Sequence, residues 1–280
     1  MVKQLKDLTP ADIEQMDYNN IISVVRETNR APGGYATIQE VVNATGLKAS
    51  DSLLEIGTST GISAIEFVRL SNCHIEAIDI NERSLEEARE RARHEGLDAR
   101  ICFSIQNAMA LDFAERSFDV VFCGNVTSLI PDREAARSEY VRVLKNGGIL
   151  AAVPMYYIKT PSQELLGRVR DAIQVDIEVQ NRDYWVSFYK KSGLVLKYLR
   201  NFMFDYIPDQ TLEEFISYIL AKKHLTEMRP DTFAVLEKKY REYIYLFRDN
   251  LSHMGYSIIL LTKEAFNDEP ELFTGTEIFD

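Results

Sequence analysis

Cysteine is scarce in this sequence, and the few cysteines stand apart from one another. The 280 residues include three, Cys73, Cys102 and Cys123. No two of them form a Cys-x-x-Cys pair, so the sequence offers neither a zinc-finger pattern nor a disulfide framework. Each lies in or beside a predicted strand, which favours small buried hydrophobic side chains over metal ligands. We therefore expect no metal site.

Long apolar runs are also missing. No stretch approaches the roughly 20 residues that a membrane-spanning helix requires. The first residues carry charged side chains instead of an apolar segment, which is not typical of a secretory signal. Hydrophobic residues still make up 46% of the chain, an ordinary share for a globular protein. We expect one large domain or a domain with an insertion, no membrane association and a cytoplasmic location.

Positive charge is in deficit, because 32 Lys and Arg residues face 43 Asp and Glu residues and the net charge is −11. Proteins that bind nucleic acids normally present a basic surface to the phosphates. No cluster of Lys and Arg stands out here, so a nucleic acid partner is disfavoured. Small molecules and peptides remain as substrate classes. The oligomeric state stays open, with a dimer as one option.

Short apolar segments alternate with amphipathic segments from residue 52 to residue 154. This pattern predicts strands and helices in turn. Strands separated by single helices imply a parallel sheet with right-handed crossovers. The predicted strands cover residues 52–56, 74–79, 100–105, 117–123 and 149–154, and the predicted helices cover 61–70, 82–95 and 132–144.

Helical periodicity dominates on both sides of this block. The predicted helices there cover residues 12–30, 37–45, 161–173, 182–191, 211–224 and 231–252, and two further strands cover 194–204 and 256–261. The predicted organisation has four parts: an N-terminal helical lid segment over 1–50, a core over 51–208 and 254–264, a helical cap insertion over 209–253 and an irregular tail over 265–280.

A glycine-containing turn joins the first strand of the block to its helix, in the segment Leu-Leu-Glu-Ile-Gly-Thr-Ser-Thr-Gly-Ile-Ser. Gly57 permits a tight turn and a close approach of the backbone to a ligand. Gly61 opens the helix, where free N–H groups favour a negative group, here a carboxylate. Asp79 ends the next strand, and an acid there can accept hydrogen bonds from both ribose hydroxyls. The spacing lacks the Gly-x-Gly-x-x-Gly pattern, which disfavours NAD.

These features resemble the motifs of class I S-adenosylmethionine-dependent methyltransferases. The first family motif reads acid-x-Gly-x-Gly-x-Gly, and its positions are occupied by Glu55, Gly57, Ser59 and Gly61. The later motifs are matched by Asp79, by Gln106-Asn107-Ala108, by Phe118-Asp119-Val120-Val121 with Gly124-Asn125, and by Leu144-Lys145-Asn146-Gly147-Gly148. The resemblance covers residues 52–154 well. It implies an α/β, Rossmann-like fold with S-adenosyl-L-methionine as cofactor and S-adenosylhomocysteine as product.

The resemblance also implies which residues contact the cofactor. The expected contacts are Glu55, Gly57, Ser59 and Gly61 at the methionine portion, Asn125 near the sulfonium, Asp79 at the ribose, and Ile80, Asn107 and Ala108 at the adenine. Tyr18 and Arg30 add contacts from the N-terminal segment, although a surface salt bridge stays open for Arg30. Ser59 stands where the family has a glycine, and a small serine can fit there if its φ stays negative.

An aromatic-rich region follows the βα block and is expected to cover the cofactor cleft together with the N-terminal helix. The candidate substrate-pocket residues are Tyr35, Tyr156, Tyr157 and Trp185. His224 and His253 are candidate general bases for an acceptor that must lose a proton. The predicted function is methyl transfer to a small molecule or peptide, as a natural-product or metabolite methyltransferase, by in-line SN2 displacement in a lidded cleft. The alternative is a non-catalytic cofactor-binding module.

Overall fold

A sheet of eight strands carries helices on both faces in the computed structural model, which describes residues 3–263. The strands are β1 Ser52–Ile56, β2 His74–Asp79, β3 Ile101–Ile105, β4 Phe118–Cys123, β5 Leu144–Ala152, β6 Met155–Tyr157, β7 Val195–Met203 and β8 Met254–Thr262. The helices are α1 Pro10–Gln15, α2 Tyr18–Val24, α3 Gly34–Thr45, α4 Ile62–Ser71, α5 Glu82–His94, α6 Arg133–Val143, α7 Gln163–Ile173, α8 Arg182–Lys190, α9 Asp209–Leu220 and α10 Pro230–Leu251. The tail predicted over 265–280 lies outside the described residues.

The strand order is β3-β2-β1-β4-β5-β8, with β7 on the far edge of β8. The first five strands are parallel, and β8 runs antiparallel to both β5 and β7. Parallel order arises because each strand is followed by a crossover that returns the chain to the same end of the sheet. The sheet and its flanking helices confirm the predicted α/β, Rossmann-like fold class.

Alternate residues of the central strands point to opposite faces, so each face has its own hydrophobic core. Leu53 and Phe122 belong to the core beneath α3, α4 and α5. Leu54 and Val121 belong to the core beneath α6 and α8. Both faces of β1 and β4 are therefore covered, and these strands read as continuous apolar runs, as buried parallel strands do.

The short strand β6 was not predicted from the sequence. After β5 the chain passes through Val153 and Pro154, and β6 then pairs with the beginning of β8, Met155 opposite Tyr256 and Tyr157 opposite Met254. Three residues are too few to show an alternating pattern. This strand fixes the backbone of Tyr156 and Tyr157.

The single helix predicted over 12–30 is wrong, because the structure has two short helices there. Asp17 caps the second: its side chain accepts a hydrogen bond from Asn20 N at 2.8 Å, and the preceding Met16 is extended. Beyond α2 the chain turns through Arg26, whose φ is +53°. An aspartate in the middle of a predicted helix is a recognised start signal that apolar periodicity masked.

The N-terminal helices and the helices before β8 share one hydrophobic core. Ile13 and Ile21 of the N-terminal segment pack in a cluster with Ile216 of α9 and with Leu236 and Tyr240 of α10. We call this assembly of α1, α2, α9 and α10 the cap. Its two parts, which the sequence analysis treated as separate segments, stabilise each other by burying apolar surface. The helix predicted over 211–224 ends at Leu220, and a separate 3-10 helix covers Lys223–Glu227.

Within residues 3–263, none of the helices combines the length and the apolar character that crossing a bilayer requires. The cytoplasmic location, the exclusion of nucleic acid and the four-part division of the chain stay predictions.

Candidate functional site

A cavity of about 1410 Å³ opens at the carboxyl ends of the parallel strands and extends beneath the cap. Gly57, Asp79 and Gly124, which follow or end β1, β2 and β4, line one half of it. Ligands of open α/β sheets bind at this edge, because neighbouring strands present their loops there. A drug-sized ligand occupies a pocket of about 300–1,000 Å³, so this volume can hold a cofactor together with an acceptor.

The loop between β1 and α4 is tied to the end of β2. Gly57 N and Thr58 N both donate to Ile78 O at 2.9 Å. Gly57 has a φ of +73°, and a Cβ at this position would lie 2.6 Å from a methyl carbon of Val126. Both the backbone conformation and the available space therefore require glycine. Val126 reaches the loop from the 3-10 helix that follows β4.

Ser59 adopts a φ of +51°, so it occupies the glycine position without the negative φ that the sequence analysis named as the condition. In this left-handed conformation its N–H donates to Asp79 Oδ2 at 2.8 Å. The other carboxylate oxygen of Asp79 accepts from Asn81 N at 2.9 Å. A hydrogen bond to a partly buried carboxylate offsets the strain of a non-glycine residue in the left-handed region. The loop and the acid are thus already joined.

Asp79 lies at the wall of the cavity, where burial raises the pKa of its carboxyl. Each of its oxygens has a further lone pair that can accept a hydrogen bond. Ile80 follows it with 78% of its surface exposed, an unusual fraction for an isoleucine, and it also lines the cavity. The two residues present a polar and an apolar contact side by side.

Asn107 and Ala108 lie at the same end of the cavity, after β3. The side-chain oxygen of Asn107 accepts from Met109 N at 2.9 Å, which stabilises the turn, and Ala108 is buried. Asn107 therefore lies at the cavity wall, and its side-chain oxygen is already used in a hydrogen bond within the turn.

Glu55 and Gly61 do not line the cavity, and they stabilise the loop from the side that faces the protein interior. The buried Glu55 carboxylate accepts from Thr58 Oγ1 at 2.6 Å, and burial raises its pKa to about 7. A Cβ on Gly61 would lie 2.7 Å from Ala88 Cβ, so this glycine allows α5 to pack closely against the loop. Of the four predicted motif positions, the structure places Gly57 and Ser59 at the wall.

Arg30 lies at the wall and forms the salt bridge that the sequence analysis left open. Its Nε donates to Glu66 Oε1 at 2.9 Å, and Glu66 is buried in α4. Within the described residues, the second oxygen of Glu66 has no hydrogen-bond partner. Arg30 thus provides the counter-charge of one buried acid, and its Nη1 lies 3.5 Å from Thr28 Oγ1.

Asn125 and Tyr18 also line the cavity. Asn125 follows β4 with a φ of +68°, and its Oδ1 accepts from Met155 N at 2.9 Å. This contact joins the end of β4 to the start of β6. Tyr18 packs its ring on Phe247 of α10 at a centroid distance of 4.2 Å, so it anchors α2 on the cap.

Three of the four predicted substrate-pocket residues line the cavity: Tyr156, Tyr157 and Trp185. Tyr157 OH donates to Asn250 Oδ1 at 3.0 Å. Tyr35 lies apart from the wall, in the first turn of α3 and 47% exposed. The aromatic content of the region therefore points to the pocket only where β6 and α8 hold the rings.

Neither predicted catalytic histidine reaches the cavity. His224 Nε2 lies 3.0 Å from Val24 O, and burial lowers the pKa of its imidazole. His253 Nδ1 lies 3.1 Å from Asp249 O in the turn after α10. In the part of the chain that the structure describes, no histidine lines the cavity, and no group of three side chains could hold a metal ion.

Sequence reasoning missed a junction between the loop and the cap, centred on Glu27. Thr60 Oγ1 donates to Glu27 O at 2.7 Å, and Tyr240 OH donates to Glu27 Oε2 at 2.7 Å. Glu27 is only 8% exposed, and burial raises its pKa. The partners lie 33 and 213 residues away along the chain, so no local pattern could reveal them.

Two more wall residues, Arg133 and Asn250, were also missed. Asn250 had a detectable signal, because it continues the apolar stripe of α10 three residues after Phe247. A polar residue at a buried stripe position is the informative exception. Arg133, in the first turn of α6, had no such signal.

Comparison with known proteins gives consistent matches. Residues 53–148 match the model of a methyltransferase domain family. The chain is 29% identical over 177 residues to an uncharacterized protein of Haemophilus influenzae, covering 62% of this chain and 70% of that protein. It is 31% identical over 150 residues to the 27-O-demethylrifamycin SV methyltransferase of Amycolatopsis mediterranei, covering 53% of this chain and 55% of that enzyme. The crystal structure of MccD protein superposes with a TM-score of 0.69 at 21% identity, covering 84% of this chain and all of that one.

The family match includes the loop, Asp79 and the strand end at Gly124, which are the residues that the structure brings together at one edge of the sheet. The chain spans about half the length of the rifamycin-modifying relative, 55% of it. Sequence motifs, topology and family match agree: residues 53–148 form a methyltransferase domain of the class I, S-adenosylmethionine-dependent type.

Proposed function

We propose that this protein transfers a methyl group from S-adenosylmethionine to a small-molecule acceptor, of the natural-product or metabolite type. The observation that carries the proposal is the single cavity that joins the loop and Asp79 to a second half beneath the cap. The rifamycin-modifying relative acts on a small molecule, which supports the acceptor class.

We call the half of the cavity that is lined by Gly57, Asp79 and Gly124 the cofactor half. Its residues fit S-adenosylmethionine. Asp79 retains lone pairs for ribose hydroxyls, and Ile80 offers an apolar face that a flat base would cover. Gly57 permits the close approach of a ligand at the loop. When bound, the cofactor supplies a methyl group activated by a positively charged sulfur.

The chain contributes binding, orientation and exclusion of water. The cap covers the cavity, and the contact between Asn125 and Met155 holds the two halves together where they meet. Positioning an acceptor next to a reactive carbon can supply about 7–11 kcal/mol of the barrier reduction. Because no histidine lines the described cavity, we expect acceptors that need no strong base, or proton transfer to a wall carboxylate, a tyrosine or water.

Calorimetry with S-adenosylhomocysteine tests the cofactor assignment. We expect a Kd on the order of micromolar, about −8 kcal/mol. Asp79→Ala should weaken binding by about 1.5–3 kcal/mol, because it removes a charged hydrogen-bond acceptor. The matched control is Asp98→Ala at an exposed position, which should leave the affinity unchanged. Equal affinity in the folded Asp79→Ala variant would remove Asp79 from the site.

Transfer itself is tested by incubating the protein with cofactor labelled in the methyl group and with a small-molecule extract of its source. We expect label in a low-molecular-weight fraction, and at cofactor concentrations below the wild-type Kd at least about tenfold less label with the Asp79→Ala variant. Intact binding of S-adenosylhomocysteine without transfer to any acceptor would contradict the proposed enzyme and leave a binding module.

A further inference from the structure

The second half of the cavity is walled by α7, the last turns of α10 and the start of β8. We call it the acceptor chamber and define it by Val169, Ile173, Phe247, Leu251 and Met254. All five side chains are apolar, and they belong to two connected hydrophobic clusters. A surface of this kind gains free energy when an apolar ligand displaces water from it.

One polar pair interrupts this apolar wall. Asn250 is 5% exposed, and its Oδ1 accepts from Tyr157 OH at 3.0 Å. The partner of its Nδ2 is Met254 Sδ at 3.2 Å, and a thioether is a weak acceptor. A buried amide donor with so weak a partner carries a desolvation penalty that a ligand oxygen can relieve.

Asp17, which precedes the Tyr18 that packs on Phe247, adds a negative charge to the cavity wall, and the other charges near this end are paired. From α6 onward, the charged wall residues are Arg133 and Glu178, which pair at 3.3 Å between Nη1 and Oε2. Arg133 also donates to Ser128 O at 3.2 Å and lies over the Trp185 ring at 5.6 Å. A charged ligand would have to break this pair or lose its own hydration without compensation, and either is costly.

We propose that the acceptor chamber binds a neutral, mainly apolar molecule whose hydroxyl or carbonyl oxygen accepts from Asn250 Nδ2, beside Tyr157. This inference rests on the proposed function, because the chamber meets the cofactor half where Asn125 contacts Met155 at the start of β6. Tyr157 then orients the amide by donating to its oxygen, which leaves the amide hydrogens for the ligand. Asn250 is in this view a residue that selects the acceptor.

Trp185 allows a direct test, because it is the only tryptophan of the chain and it lines the cavity. The protein is saturated with S-adenosylhomocysteine and titrated with bromodecanol, bromodecanoate or bromodecane, whose bromine quenches tryptophan emission. We expect saturable quenching by the alcohol, with at least about tenfold weaker binding of the carboxylate because its charge must be desolvated. Equal or tighter binding of the carboxylate would overturn the proposal.

The variant Asn250→Leu tests the polar contact. It should weaken the alcohol about tenfold and leave the alkane unaffected, since only the alcohol can accept a hydrogen bond from the amide. Asn43→Leu, at an exposed position of α3, is the matched control and should change neither. Should Asn250→Leu fail to fold, Tyr157→Phe gives a second measurement, with a smaller loss of alcohol affinity expected because the amide loses its orienting partner.

Unchanged alcohol affinity in a folded Asn250→Leu variant would refute the inference. Calorimetry with S-adenosylhomocysteine separates this failure from that of the proposed function. If the wild type does not bind S-adenosylhomocysteine, the proposed function fails; if it binds S-adenosylhomocysteine but not the alcohol, only the chamber assignment fails.

Discussion

The cofactor half of the cavity is built mainly from backbone at the strand ends, whereas the acceptor chamber is built from side chains of distant segments. In the cofactor half, the decisive contacts join Gly57 and Ser59 to residues Ile78 and Asp79 on the neighbouring strand. In the chamber, Tyr157 and Asn250 meet although they lie 93 residues apart. The first set of contacts therefore depends on the backbone geometry of neighbouring strands, whereas the second depends on which side chains two distant segments carry.

The largest expected effect is a loss of cofactor affinity when the backbone of the loop is changed at Gly57. Gly57→Ala places a Cβ 2.6 Å from Val126 at a φ of +73°. We expect at least about hundredfold weaker binding of S-adenosylhomocysteine in calorimetry, because both strain and steric overlap must be relieved.

Gly96→Ala is the control for strain alone, because Gly96 has a φ of +68° but no atom within 4 Å of a Cβ. It should lower the free energy of unfolding by about 1–2 kcal/mol and leave the ligand affinity unchanged. Similar affinities for both alanine variants would contradict the claim that the loop backbone forms the cofactor half.

The second effect concerns the junction at Glu27, where the cap meets the loop. Tyr240→Phe removes a hydroxyl that donates to Glu27 Oε2 at 2.7 Å. We expect the free energy of unfolding to fall by about 1–3 kcal/mol at neutral pH, because the buried carboxylate loses a donor. Denaturant titration measures the change.

The loss should depend on pH. Burial raises the pKa of folded Glu27 above its unfolded value of 4.5, so the folded state binds the proton more tightly and stability falls as pH rises from about 4.5 through the folded pKa. Since the Tyr240 hydroxyl lowers the Glu27 pKa, Tyr240→Phe should raise that pKa further, so the fall in stability becomes larger and continues to higher pH. Tyr245→Phe, which removes a donor to the more exposed Glu213, should lower the free energy of unfolding less and should not enlarge that fall. A pH-independent loss in Tyr240→Phe would reject this account.

A smaller effect is expected at Ser59, the residue that holds a φ of +51°. Ser59→Gly removes strain of about 1–2 kcal/mol, and the entropy of a more flexible unfolded chain offsets about 0.5–1 kcal/mol of this gain. Thermal unfolding should show a net stabilisation of about 0.5 kcal/mol. Ser50→Gly, at a position without positive φ, should be destabilising, and the same sign for both variants would argue against strain at Ser59.

The smallest effect is expected from His253, which lies away from the cavity. His253→Gln should leave the rate of label transfer within about twofold, whereas removing a general base lowers a rate by about 10²–10⁴-fold. A loss of the larger size would restore the catalytic role that the sequence alone suggested for this histidine.

The sequence predicted those parts of the fold and site that depend on short segments. Strands β1 and β2 were bounded correctly because apolar runs between turn residues specify them locally. The sign of φ at Ser59 was not predictable, since it depends on a hydrogen bond to the next strand. Helix α2 was not predicted as a separate helix, because the apolar residues on both sides of Asp17 have the spacing of one continuous helix.

The acceptor chamber was largely beyond prediction, because it is formed by side chains that are distant in the sequence. Its polar pair requires knowing that β6, a three-residue strand, lies beside the beginning of β8. The aromatic count drew attention to Tyr157 and Trp185, which line the cavity, but it equally suggested Tyr35, which the structure leaves on the surface. Residue type predicts a pocket only once the backbone neighbours are known.

The junction between α10 and β8 holds the cap to the sheet. Only Ser252 and His253 separate the two elements, and the first residues of β8 pair with β6 on one side and β7 on the other. The carboxyl end of α10 is therefore fixed at the sheet. Helices α1 and α2 share a hydrophobic core with α10, and Tyr18 of α2 packs on Phe247, so the N-terminal helices are linked to the same strand through α10.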